Sequence, residues 1–351
     1  MVRGGKRSIG GGSGASRGFP ATAASSAAPS AVGPSSPLPL PVIQGDAFRH
    51  PLDLENTQML RALPGFDVII RTMVSPVTEQ LLVMENVGSG LLVSEKQYPS
   101  IYKLHREAQD ILGIEDDVRV YVRSNPTPNA YTLAVAGGKE PFIVLHTALI
   151  ELLTPRELQS VIAHELGHLK CDHGVYLAMA NLLAASALAL PMGVGNMISA
   201  AVEEGLYRWL RSAELSCDRA ALVVARDPKV VASALMKLAG GVVGENENEL
   251  NVDAFIHQAS VLDEAHSSAS PIAWYLRNAQ LRQLSHPLPV LRAREVMEWS
   301  NSFQYKTLRN AADRRADASA WSAEEGDDNT KEEKATNDDD GDDDENGVDK
   351  R

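Results

Sequence analysis

Apolar positions along the chain follow a helical rhythm, then a strand rhythm, then a helical one again. A first patch of helical spacing covers about 54–73, followed by an irregular stretch punctuated by Pro and Gly up to Ser94. In "YPSIYKLHREAQDILGI" (98–114) the apolar residues recur every three to four positions and the run closes on Gly113, which predicts a helix. "VRVYVRS" (118–124) alternates as a strand does; the turn "NPTPN" leads into a second strand, and "PFIVLH" (141–146) forms a third. "TALIELL" (147–153) returns to helix. "TPREL" then supplies Thr154 as cap, Pro155 at the first helical position and Glu157 three residues after the cap, so a helix starts at 155 and runs to about 171. Further helices are expected at about 203–225, 228–240 and 298–317. The pattern describes an α+β domain, mostly helical, with a small mixed or antiparallel sheet from 118–146 beside the helix from 155 and a cleft between them.

Composition trims both ends of this picture. Residues 1–45 contain no Asp or Glu, four basic residues (Arg3, Lys6, Arg7, Arg17) and eight Ser among Ala, Gly and Pro. Such a segment buries too little apolar surface to offset its conformational entropy, and its make-up is that of an organelle transit peptide. From Glu324 to Arg351 there are 14 acidic and 4 basic residues, much of the chain's net charge of −13. The stretch 318–351 is therefore expected to be a solvated acidic tail, leaving 46–317 as the folded domain. No basic stripe suits a nucleic acid, no G-x-x-x-x-G-K-[ST] loop suits a nucleotide, and two cysteines, Cys171 and Cys217, make no disulfide framework.

A second feature is apolar. Gly174–Val202 holds no charged residue over 29 positions, yet Pro191, Gly193 and Gly195 split it. Its first half, 175–190, would rise only ~24 Å as a helix, short of a hydrocarbon core of ~30 Å. Two readings stay open: a helical hairpin dipping into one leaflet or a lipid monolayer, and an apolar helix buried beneath the site.

The chemistry lies on the helix from 155. His164 and His168 are four apart and share one face, with Glu165 on its flank: H-E-x-x-H, the pattern in which two imidazoles bind zinc and the glutamate takes a proton from the attacking water. Catalytic zinc needs a third protein ligand. His173 is out of register for H-E-x-x-H-x-x-G-x-x-H, because positions 171 and 174 are Cys171 and Gly174; it reads as a helix-end residue and Cys171 as a packed one. "RWLRSAELSCDRAALVVA" (208–225) is a better source. Its Glu214 can reach the metal while Asp218, one turn on, accepts a hydrogen bond from a ligand histidine. The competing reading of that face is a solvated ion-pair network with Arg211 and Arg219.

"HELGH" followed by "AELSCDRAA" resembles the gluzincin metallopeptidases of family M48, which include HtpX, Oma and the CAAX prenyl proteases. "NPTPNAYTL" is similar to that family's edge-strand segment, and "SHPLPVLRARE" to its H-P-x-x-x-x-R element. The likeness covers roughly 75–305 and its wording is nearest the plant plastid branch; Cys217, where relatives often carry Ala, is a departure. The resemblance implies one zinc ion per chain held by His164, His168 and Glu214, with Glu165 as general base and Asp218 behind a ligand. It also implies His286 near the scissile carbonyl, Arg292 tying that loop to the core, and Asn129, Ala130 and Tyr131 pairing with substrate backbone. The expected function is a zinc-dependent metalloendopeptidase acting on protein or peptide in the chloroplast, at a thylakoid membrane or plastoglobule surface, with the mitochondrion as the alternative location. A catalytically inactive zinc-containing scaffold at a lipid surface is the alternative function, disfavoured by the intact Glu165. An oxidoreductase built on Cys171 and Cys217 is weaker still, since they form no C-x-x-C pair.

Overall fold

The computed structural model describes residues 43–62, 88–133, 141–187, 194–240, 249–267 and 287–317, with Gly65, Val68, Met84 and Glu85. The acid-free segment up to residue 42, the acidic tail, the break around Pro191 and His286 lie outside the described residues.

The described chain runs α1 (Gly45–Phe48), α2 (Pro51–Arg61), β1 (Leu91–Leu92), α3 (Pro99–Leu112), β2 (Arg119–Arg123), β3 (Ala130–Leu133), β4 (Phe142–His146), α4 (Thr147–Leu152), α5 (Pro155–Lys170), α6 (His173–Ala187), α7 (Val194–Ala225), α8 (Pro228–Leu238), α9 (Val252–Ser267), α10 (Pro289–Ser300) and a last helix, α11, over 303–317. The domain is mostly helical with one small mixed sheet, ordered β1-β2-β4-β3. The central pair β2 and β4 is parallel, and the outer strands are antiparallel to their neighbours. β4, "FIVLH", is buried at every position, as its unbroken apolar run requires of a central strand.

Strand alternation sorts the side chains to two faces. Val120, Val122, Ile143 and Leu145 enter the main core with Ala130, whereas Tyr121, Phe142 and Val144 form a second cluster with Tyr131 and Leu133 on the opposite face. Thr132 is in step with Ala130, so it faces the helices.

α3 buries Ile101, His105, Ala108 and Leu112 along one stripe and stops at Gly113, whose φ of 62° is the left-handed cap anticipated from its sequence. α5 begins with the expected capping box: the Thr154 hydroxyl accepts from the Glu157 amide and the Glu157 carboxylate accepts from the Thr154 amide. After α5 the chain reverses through Asp172, at φ 53°, so His173 opens the next helix and does not end the previous one. α7 is longer than the expected 203–225: the apolar residues from Val194 onward continue into it without interruption, and the second half of the uncharged run is its first two turns.

α5 packs on α7 and, on its other flank, on α3 and β3. Gly167 sets the α5–α7 spacing. A Cβ there would lie 2.9 Å from the Ala220 Cβ and 3.2 Å from the Cys217 Cα, and backbone cannot yield as a flexible side chain does. The two helices therefore touch almost backbone to backbone. Gly167→Ala is expected to destabilise the fold by ~1–3 kcal/mol through overpacking; chemical denaturation that found the variant as stable as the parent would contradict this reading of Gly167.

Candidate metal centre

The close approach at Gly167 brings α7's acidic face to α5's histidines. His164 Nε2 lies 3.4 Å from one carboxylate oxygen of Glu214, and His168 Nε2 lies 3.5 Å from the other. The Glu214 carboxylate thus faces both imidazoles, one oxygen towards each Nε2. A tetrahedral zinc ion with bonds of about 2.0–2.1 Å separates its ligand atoms by roughly 3.3–3.4 Å, so the spacing fits such an ion. All three side chains line a cavity of about 910 Å³ that also exposes Glu165.

Behind His164, Asp218 Oδ1 is 3.1 Å from Nδ1. Arg292, from the first turn of α10, grips Asp218 with two bonds, Nε to Oδ2 at 2.8 Å and Nη2 to Oδ1 at 2.7 Å, and its Nη1 is 3.4 Å from Glu214. Burial alone would raise the Asp218 carboxyl, but the Arg292 charge, its hydrogen bond and His164 hold it below the usual carboxylate range. Burial would lower His164; hydrogen bonds to Asp218 and Glu214 outweigh that and hold its imidazole up at about 10 when no metal is present.

Glu165 is oriented from the sheet. Thr132 Oγ1 donates to its carboxylate at 2.7 Å and lies 3.1 Å from its backbone oxygen. Asn129, Ala130 and Tyr131 border the same cavity, on and just before the edge strand β3. His173 packs behind His168, the two Nδ1 atoms 3.1 Å apart, and its Nε2 is 3.1 Å from Asp53. Burial pushes the His173 imidazole down to about 4 against the pull of Asp53.

Nine of the expected site residues, then, line this cavity: Asn129, Ala130, Tyr131, His164, Glu165, His168, Glu214, Asp218 and Arg292. His286 falls outside the described residues. Thr132 was missed, although its place two residues after Ala130 on an alternating strand put it on the helix side. His173 sits in a buried network where a helix-end position was expected, because the left-handed turn at Asp172 folds α6 back against α7.

A second donor grouping exists among the described residues: ligand atoms of His164, His168 and Cys217 lie within 4.8 Å of one another. Cys217 is wholly buried opposite Gly167, does not border the cavity, and has its thiol pushed well above the ordinary value by burial. A thiolate is the form that ligates metal, so this position disfavours it. Glu214 supplies a carboxylate oxygen on the cleft itself.

Residues 97–300 match the model of peptidase family M48. The chain belongs to this family. As an M48 peptidase it is a metallopeptidase, hydrolysing peptide bonds with the aid of a bound metal ion. It is 56% identical over 280 residues, 80% of either chain, to the plastoglobule-localized metallopeptidase 48, chloroplastic, of Arabidopsis thaliana. It is 29% identical over 182 residues to protease HtpX homolog 2 of Methanosarcina mazei, covering 45% of this chain and 61% of that one. A protease HtpX homolog of Moorella thermoacetica is 28% identical over 178 residues, 43% of this chain and 58% of its own. The chloroplast location implied by the resemblance agrees with the name of the first relative.

The His164 shift sets a pH dependence for the metal-free M48 domain. Its folded value of about 10 exceeds the ordinary 6.5, so the stability it contributes is complete below pH 6.5 and is lost as pH rises through 10. Denaturant unfolding of chelator-treated protein between pH 6 and 10 is expected to show stability falling with pH over that window, and Asp218→Asn should flatten the slope.

Proposed function

We propose that this M48 metallopeptidase is a zinc endopeptidase that reads its substrate as an extended strand, at a lipid surface of the plastid. The observation that carries the reading is the Glu214 carboxylate set between the Nε2 atoms of His164 and His168, 3.4 and 3.5 Å away, with Glu165 beside them on the cleft. Two imidazoles and one carboxylate are a donor set suited to catalytic zinc. A bound zinc ion would supply Lewis acidity and bring the pKa of water towards ~7.

The chain's own residues supply the rest. His164, His168 and Glu214 would hold the ion; Asp218, clamped by Arg292, fixes the His164 ring with its Nε2 towards the cleft. Glu165 accepts the proton of the attacking water and passes it to the leaving amine, with Thr132 holding the carboxylate in place. β3 forms the sheet edge beside α5, so a substrate strand can add to it by backbone hydrogen bonds, with Asn129, Ala130 and Tyr131 as its neighbours.

Lipid contact is proposed for α6 and the start of α7. They pack on each other through Val175, Tyr176, Met179 and Trp209, while Leu182, Met197, Ile198 and Tyr207 stay exposed, Met197 to 77%. No described helix is long and apolar enough to cross a membrane. The arrangement supports an apolar rim resting in a monolayer.

Two experiments check these readings. Glu165→Gln should lower casein hydrolysis by ~10²–10⁴-fold while leaving one zinc ion bound; wild-type turnover in that variant would defeat the mechanism. Met197→Asp with Ile198→Asp should abolish co-flotation with lipid vesicles and leave casein hydrolysis unchanged, and undiminished flotation would remove this surface from consideration.

A further inference from the structure

The N-terminal helix α2 contributes a carboxylate that no element of the metal centre accounts for. Asp53 is fully buried. Its oxygens receive the Trp209 indole N–H at 2.9 Å, the Ser216 hydroxyl at 2.6 Å, the Thr57 hydroxyl at 3.1 Å and the Arg49 guanidinium at 3.3 and 3.4 Å. Trp209 and Arg49 can only donate, so Asp53 is an acceptor on both oxygens. The remaining neighbour is His173 Nε2, 3.1 Å from Oδ2. Facing a carboxylate, that nitrogen must carry its proton.

The consequence runs on through the ring. His173 and His168 meet Nδ1 to Nδ1 at 3.1 Å, a contact that needs one donor and one acceptor. With the His173 proton on Nε2, its Nδ1 is bare and accepts; the Cys217 thiol, 3.6 Å away, is a weak donor to it, and His168 Nδ1, at 3.1 Å, is the nearer and stronger one and so carries its proton there. His168 Nε2 is then left with its lone pair, on the side where Glu214 stands. The reverse assignment would set a bare His173 nitrogen against the Asp53 carboxylate and place a proton on the His168 nitrogen that faces the cleft. The buried charge forbids it.

We propose that Asp53 is a positioning residue of the metal centre, selecting the ligating tautomer of His168 through His173 and so tying metal affinity to the N-terminal helix. It does for His168, across one intervening ring, what Asp218 does directly for His164. The inference rests on the proposed ligand role of His168.

Asp53→Asn tests it sharply. Trp209 donates to Oδ1, so the amide oxygen must stay there, and the NH₂ is forced onto the side of His173, where it donates to Nε2 and inverts both tautomers. Zinc affinity of the full chain, measured by competition with a chromogenic chelator, is expected to fall 10–100-fold. The ¹⁵N imidazole spectrum of the metal-free protein at pH 8 should show the His168 proton moving from Nδ1 to Nε2, a change that mere loosening of the fold would not produce. A folded Asp53→Asn protein with parental zinc affinity overturns the proposal. Should that variant fail to fold, His173→Gln decides: loss of affinity supports the relay, and parental affinity overturns it. The wild type is the control on the underlying reading. If it bound no stoichiometric zinc, the ligand assignment itself would fail, whereas tight wild-type binding unaffected by Asp53→Asn removes only the relay.

Discussion

The backbone contact between α5 and α7 at Gly167 is the constraint from which the site follows. His164 and Glu214 stand fifty positions apart in sequence, so nothing local brings them together. What does is the absence of a side chain at one position: with Ala220 and Cys217 seated against Gly167, the faces of the two helices one turn either way are fixed within hydrogen-bond reach of each other. A wider crossing would leave Glu214 facing water and two imidazoles with no common partner.

Around that contact, four buried charges of the described residues stand in ion pairs. Asp218 has Arg292, Glu157 has Lys237 at 2.7 Å, Asp53 has Arg49, and Arg219 has Glu295 at 3.0 Å with the Trp299 ring beneath its guanidinium. Each such pair costs desolvation on folding, and removing one partner leaves the other stranded, so these groups fix geometry more than they add stability. They also bind distant segments to the two central helices: Arg292 secures α10, Lys237 secures α8, and Arg49, which also donates to the Cys171 carbonyl, secures the N-terminal helices.

Much of this was legible beforehand. The capping box at Thr154 announced where α5 starts, H-E-x-x-H declared its chemistry, and the four-residue spacing of Glu214 and Asp218 placed one carboxylate at the histidines and one behind them. What stayed hidden was long-range or directional. Asp53 stands 120 residues from His173, and a lone acid in an ordinary amphipathic helix carries no mark of what it will meet. β1 is two residues long, too short to alternate. The expected start of α7 at about 203 coincides with the first charge, Glu203, and assigns the residues before it to a separate apolar feature, whereas the spacing from Val194 onward is helix-compatible on both sides of that charge.

The N-terminal helices set how far the chain can be shortened from its front. Ile43 and Phe48 are embedded in the main core, and Asp53 reaches the rear of the histidines. A chain shortened from its front therefore keeps this core intact only if Ile43 is retained. Shortening that reached into α1 or α2 would remove part of the core together with the carboxylate that meets His173, so the front of the chain and the histidine cluster stand or fall together.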